Sequence, residues 1–194
     1  MHGLINRSIQ NYVCDSYGPS CWAEATQRAG LEFTEFEAML SYADDLTPRM
    51  LDAVCEVLER SRPEVMEDIG TYLVSHPTYE AVRRLLRFGG VNFSDFLHSL
   101  DDLPDRAKLA LADLDLPNIE LREHDEGRFS LICDAPVAGY GHLLMGVLRV
   151  MADDYGALVL LDHMGRNDGV ETLTIKVVEA DYSAGRSFDL GARA

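Results

Sequence analysis

Along the first half of the chain apolar residues recur at intervals of three and four, and along the second half they largely alternate. Leu4, Ile5, Ile9 and Val13 mark one face of a first helix, which the Tyr17-Gly18-Pro19 turn signal ends. Residues 20–29 predict a second helix, with Ser20 as its cap and Gly30 as its stop. Thr47-Pro48 opens a third over residues 49–60, where Met50, Leu51, Val54, Val57 and Leu58 form the apolar face. Ser61-Arg-Pro-Glu opens a fourth over residues 63–75, broken at His76-Pro77 because the residue before a proline is pushed out of the helical region. A fifth, over residues 79–88, ends at Gly89-Gly90.

The sixth segment is the most distinctive. Over residues 92–103, at about 100° per residue, Phe93, Phe96, Leu97, Leu100 and Leu103 share one stripe. Position 104 falls near the centre of that stripe and is expected to point into the core. It is a proline, which brings no donor, no charge and no metal ligand.

Beyond it the period shortens. Ile119-Glu-Leu-Arg-Glu-His alternates as a strand does, and Asp125-Glu-Gly-Arg turns it into Phe129-Ser-Leu-Ile-Cys. Helical spacing returns over residues 139–154 through Leu144, Val147, Leu148 and Met151. Two more strands follow, over residues 157–163 and 171–178, joined by the polar run Met164-Gly-Arg-Asn-Asp-Gly. The pattern predicts an α+β fold: a helical N-terminal half and a C-terminal antiparallel sheet with one packed helix. One domain is expected over residues 1–178, with an N-terminal helical part at 1–62 and an α+β part at 63–178; residues 179–194, poor in apolar periodicity, read as a loose tail.

Composition narrows the partners. With 17 Lys and Arg against 33 Asp and Glu, the net charge is -16, which opposes nucleic-acid phosphates and anionic membrane surfaces. No run approaches the ~20 apolar residues of a bilayer span, and the first residues lack a signal-peptide layout, so a cytoplasmic protein is expected. Cys14, Cys21, Cys55 and Cys133 form no CxxC pair and read as buried free thiols.

Four stretches together resemble the heme-nitric oxide/oxygen binding family, the H-NOX domains of bacterial gas sensors and of soluble guanylate cyclase. They are Met1-His-Gly-Leu-Ile, Phe96-Leu-His-Ser-Leu-Asp-Asp-Leu-Pro-Asp, Leu116-Pro-Asn-Ile, and the strand-loop-helix from Phe129 through Gly139 to Ala152. The LD-x-L step, followed by Pro117 thirteen residues after Pro104, is the most specific of these. The resemblance covers roughly residues 1–178 and implies heme as cofactor. In the family a histidine at the end of the stripe helix ligates the iron, and the matching position here is Pro104. A YxSxR pattern holds the heme propionates, and its matching positions are Cys133, Ala135 and Val137. Ile5 and Pro117 match residues that pack against the porphyrin. The pocket is thus implied at Ile5, Pro104, Pro117, Cys133, Ala135 and Val137, with its ligand groups absent. The run Tyr182-Ser-Ala-Gly-Arg186 imitates the propionate pattern, but its serine is one place early.

Substitute ligands are few. His98 lies about 140° from the centre of the apolar stripe, and His142 lies opposite Leu144, Val147 and Leu148, so both are expected at the surface. His2, His76, His124 and His163 fall at a terminus, a helix end or strand edges. Cys133 offers a thiolate-type ligand but matches the propionate end. The loop after His163 has no cysteine, so a tetrahedral zinc site is not expected. No phosphate loop, GxSxG or HExxH motif occurs, and acidic pairs such as Asp101-Asp102 read as helix starts and solvated faces, so no enzyme activity is expected. The resemblance implies a sensory domain acting in trans on a histidine kinase or cyclic-dinucleotide enzyme, with heme and gas binding lost or non-standard. The alternative is a working heme sensor with an atypical axial ligand.

Overall fold

A computed structural model of the protein describes residues 1–125 and 127–186. Four helices come first: α1 (Gly3–Tyr17), α2 (Pro19–Arg28), α3 (Leu46–Leu58) and α4 (Arg62–Ser75). A 3₁₀ turn (Pro77–Tyr79) leads into α5 (Glu80–Arg87), followed by α6 (Phe93–His98) and α7 (Leu103–Ala110). Strands β1 (Asn118–Asp125) and β2 (Arg128–Asp134), helix α8 (Tyr140–Tyr155), and strands β3 (Leu158–Asn167) and β4 (Val170–Glu179) complete the chain. The strands form one antiparallel sheet in the order β1-β2-β4-β3. The α+β architecture matches the sequence pattern.

Two apolar clusters organise the molecule. One gathers Ile9, Tyr12 and Val13 of α1, Trp22, Phe36, and the inner faces of α3 and α4. The other packs Phe93, Phe96, Leu97 and Leu100 with the inward residues of the sheet and of α8, among them Leu131, Leu148, Met151 and Leu173. Helix α4 serves both: Val65, Met66, Ile69 and Tyr72 belong to the first cluster and Val74 to the second. It crosses α8 with backbones nearly touching. A Cβ on Gly70 would stand 2.0 Å from the carbonyl oxygen of Leu143, and one on Gly146 would stand 2.0 Å from that of Glu67. Glycine inside a helix costs about 1 kcal/mol relative to alanine, and here the close approach requires it.

Several boundaries differ from the sequence pattern for local reasons. Helix α2 starts at Pro19, with Gly18 rather than Ser20 before it, because a proline at the first helical position lacks only a donor that would be orphaned anyway. By the same logic α3 takes in Leu46 and Thr47 ahead of Pro48, and it stops at Leu58, where Glu59 turns left-handed at φ 52°. The β3–β4 connection is tighter than the expected loop. Asp168 (φ 50°) and Gly169 (φ 89°) form a two-residue hairpin turn whose positive φ values suit the twist of the strands.

The stripe segment is not one helix. Continued through Pro104, it would drive the proline ring into the carbonyl of Leu100. The chain instead ends α6 at His98, turns over residues 99–102, and starts α7 at Leu103 with Pro104 in the first turn. Phe93, Phe96, Leu97, Leu100 and Leu103 remain buried as expected. Pro104 is half-buried at a helix start, not the centre of an inward face. Residues 180–186 are not loose either. The Ser183 amide donates to the Gly156 carbonyl at 3.0 Å and the Arg186 amide to that of Asp154 at 3.0 Å. The buried Asp154 carboxylate anchors this corner through two 2.6 Å hydrogen bonds from Arg83. The rest of the expected tail, residues 187–194, lies outside the described residues. Among the described residues no helix is long and apolar enough to cross a membrane.

Candidate functional site

Strand β2 runs inward-outward with Phe129, Leu131 and Cys133 on the core face, and the connection from Asp134 to Gly139 then carries the chain to the start of α8. Cys133 and Ala135 are buried within the sheet cluster, while Val137 is buried in the helical one, so this connection passes from one core to the other. Ile5, in the first turn of α1, and Pro117, just before β1, are half-buried. None of these side chains offers an oxygen or nitrogen. The Cys133 thiol is pushed up to about 12, by burial and then by the neighbouring Glu171 and Asp134 carboxylates, so its surroundings hold it neutral and oppose a thiolate ligand.

The polar chemistry of this region comes from a residue the sequence reading passed over. Glu171 stands on β4 directly across from Cys133 on β2. It is only 1% exposed, and its carboxylate faces the first turn of α8. Oε1 accepts the Gly139 amide at 2.7 Å; Oε2 accepts the Gly141 amide at 2.9 Å and lies 2.9 Å from Nε2 of His163. The Arg166 guanidinium flanks it, with Nε 3.8 Å from Oε1 and Nη2 donating to the Ala135 carbonyl at 3.3 Å. Burial pushes the Glu171 carboxyl up, but hydrogen bonds from His163, Gly139 and Gly141 outweigh it and leave the group below the usual carboxylate range. The signal was present in the sequence: Glu171 shares its strand face with Leu173, Ile175 and Val177, an acid where the alternation demands an apolar residue.

The histidines separate accordingly. His98 is exposed, as expected, with Nε2 3.5 Å from a Glu123 carboxylate oxygen. His142 is not a surface residue: it is half-buried and stacks on His163 at 4.0 Å between ring centroids, 17° from parallel. Burial and the neighbouring His163 lower its pKa. His2 is also buried, and its Nδ1 accepts the Leu4 amide at 3.1 Å as the cap of α1. Tyr140, at the start of α8, is half-buried against the sheet cluster, and burial raises its phenol.

A family model described as Haem-NO-binding matches residues 2–163. The chain belongs to the haem-NO-binding family. Among curated relatives it is 25% identical over 154 residues to soluble guanylate cyclase gcy-31 of Caenorhabditis elegans, covering 79% of this chain and 22% of that one. To gcy-32 of the same organism it is 28% identical over 155 residues, covering 78% and 23%. The chain therefore spans less than a quarter of the length of these relatives. Solved H-NOX structures share the fold. A mutant of the Fe(II) unliganded H-NOX protein from K. algicida superposes with a TM-score of 0.78 at 16% identity, over 94% of this chain and 99% of that one. The H-NOX protein from S. oneidensis in the Fe(II)NO ligation state gives 0.72 at 17% identity, over 91% and 99%.

Heme is the cofactor this family implies, and the residues present do not fit it. The position that the resemblance assigns to the iron ligand is Pro104, half-buried in the first turn of α7. The three positions that the resemblance assigns to the propionate contacts are buried, and the only side-chain donor among them is the weak S–H of Cys133. The two free amides at the start of α8 already have a carboxylate, that of Glu171.

Proposed function

We propose that this chain is an H-NOX-type sensory or signalling domain, cytoplasmic and without catalysis of its own, in which heme and gas binding have been lost. Pro104 carries the reading. A proline has no lone pair to give a metal once its nitrogen is in the peptide bond, so the family's iron position supplies no ligand. The atypical-ligand alternative finds little support: His98 is exposed, edge-on to Phe129 and beside Glu123, His142 is stacked on His163, and Cys133 is held as a neutral thiol. The domain acts through its surface on a separate protein, a histidine kinase or cyclic-dinucleotide enzyme by family analogy. Its net charge of -16 favours a basic face on that partner.

The test is a hemin titration of the purified protein followed at the Soret band. The expected result is no shift and no saturable binding, with the protein colourless as isolated. A stoichiometric Soret shift, or porphyrin recovered with the protein from cells, overturns the proposal.

A further inference from the structure

The first turn of α8 is built to hold an anion. Gly139, at φ 95°, bends the chain so that its own amide and that of Gly141 converge on one point. Unpaired amides at a helix start carry partial positive charge and favour a negative group. Gly141 lets that group come close: a Cβ there would stand 2.7 Å from Oε2 of Glu171 and 2.9 Å from Nε2 of His163. His163 and Arg166 complete the surround from β3, and the Arg166 guanidinium is fixed by its hydrogen bond to the Ala135 carbonyl.

We infer that Glu171 is the resident anion of this seat, and that it closes the two amides to the carboxylate of any ligand. The inference rests on the heme-free reading above. The placement is specific. Cys133 is the cross-strand partner of Glu171, and the carbonyl of Ala135 shares Arg166 with it. Two of the three positions where the family engages ligand carboxylates thus touch the residues around an internal one. Glu171 is a specificity-determining residue: with its oxygens on the Gly139 and Gly141 amides, neither amide is open to an external carboxylate.

Chemical rescue tests this directly. Truncation by E171A removes the carboxylate and leaves the two amides, His163 and Arg166 in place, and sodium formate is the probe. In thermal unfolding E171A melts below wild type and regains stability saturably with formate. At formate tenfold above its dissociation constant the gain is about 3 to 5 °C in Tm. Wild type shows no saturable gain, because its seat is taken. E171Q, which keeps the volume but not the charge, melts below wild type and gains nothing from formate. Equal formate responses in E171A and wild type overturn the inference, as does an E171Q protein as stable as wild type. Should E171A fail to fold even in formate, the E171Q melting temperature decides alone. A Soret shift of wild type with hemin would sink the heme-free reading without touching these measurements, so the two failures are distinguishable.

Discussion

At the start of α7, where the resemblance puts the iron ligand, the chain has Pro104 in the first helical turn. At the start of α8, where the resemblance puts the propionate contacts at Cys133, Ala135 and Val137, the chain supplies a charged group of its own, Glu171. The difference follows from what each position leaves behind. A proline in the first turn of a helix has no amide hydrogen, so taking a ligand away there leaves no donor unsatisfied. The first turn of α8 keeps two amides aimed at one point, and buried donors without an acceptor cost about 1 to 3 kcal/mol each. One end tolerates simple loss, while the other demands a replacement.

The comparison is broken most severely by removing that replacement. E171A leaves two amides and a half-buried histidine facing a void, and it is expected to lower the unfolding free energy by about 2 to 4 kcal/mol, read from urea denaturation. G141A leaves the carboxylate in place but forces it outward from 2.7 Å. Repacking of this size costs about 1 to 2 kcal/mol, with the urea midpoint falling while the slope is unchanged.

Acid should separate the two ends as well. The folded state holds the Glu171 carboxyl below its ordinary range, so as pH falls the unfolded chain takes up the proton first. The stability Glu171 brings is complete above an unfolded pKa of about 4.3 and is lost as pH falls below it toward the folded value. The His142 pKa is also lowered in the fold, so its contribution is complete above about pH 6.5 and declines as pH falls from there. Urea midpoints measured from pH 8 to pH 3 should therefore drop in two steps, E171Q removing the lower and H142N the upper. Retention of both steps in these variants would contradict the assignment. The smallest effect belongs to the α7 end. P104A should change stability by less than about 1 kcal/mol, and it should leave the acid profile unaltered.

How far the sequence revealed all this depended on the range of the interactions involved. The burial of Phe93, Phe96, Leu97, Leu100 and Leu103 was legible, because period fixes which side chains face inward. The backbone path was not, since a turn over residues 99–102 keeps the same residues buried as an unbroken helix would. Helix α7 left no apolar stripe to read: Leu109, one of its few large apolar residues, is 89% exposed. The burial of Cys133 followed from strand alternation. The seat of Glu171 was hidden because its partners come from positions 139, 141, 163 and 166, on a loop, a helix and another strand. His142 looked like a surface residue and His163 like a strand-edge one for the same reason, since only the packing of α8 on the sheet brings them together.

The glycine crossing of α4 and α8 has a consequence for how the molecule breathes. With no side chain between the backbones at Gly70 and Gly146, there are no rotamers to absorb a displacement of one helix against the other. The pair is expected to move as a single shaft joining two packed cores, so that a twist imposed on either end is delivered to the other. Amide hydrogens of α4 and α8 are accordingly expected to open in one cooperative event, with matching exchange free energies along both helices. A bulky residue at position 70 or 146 would act as a wedge and split that single opening into two.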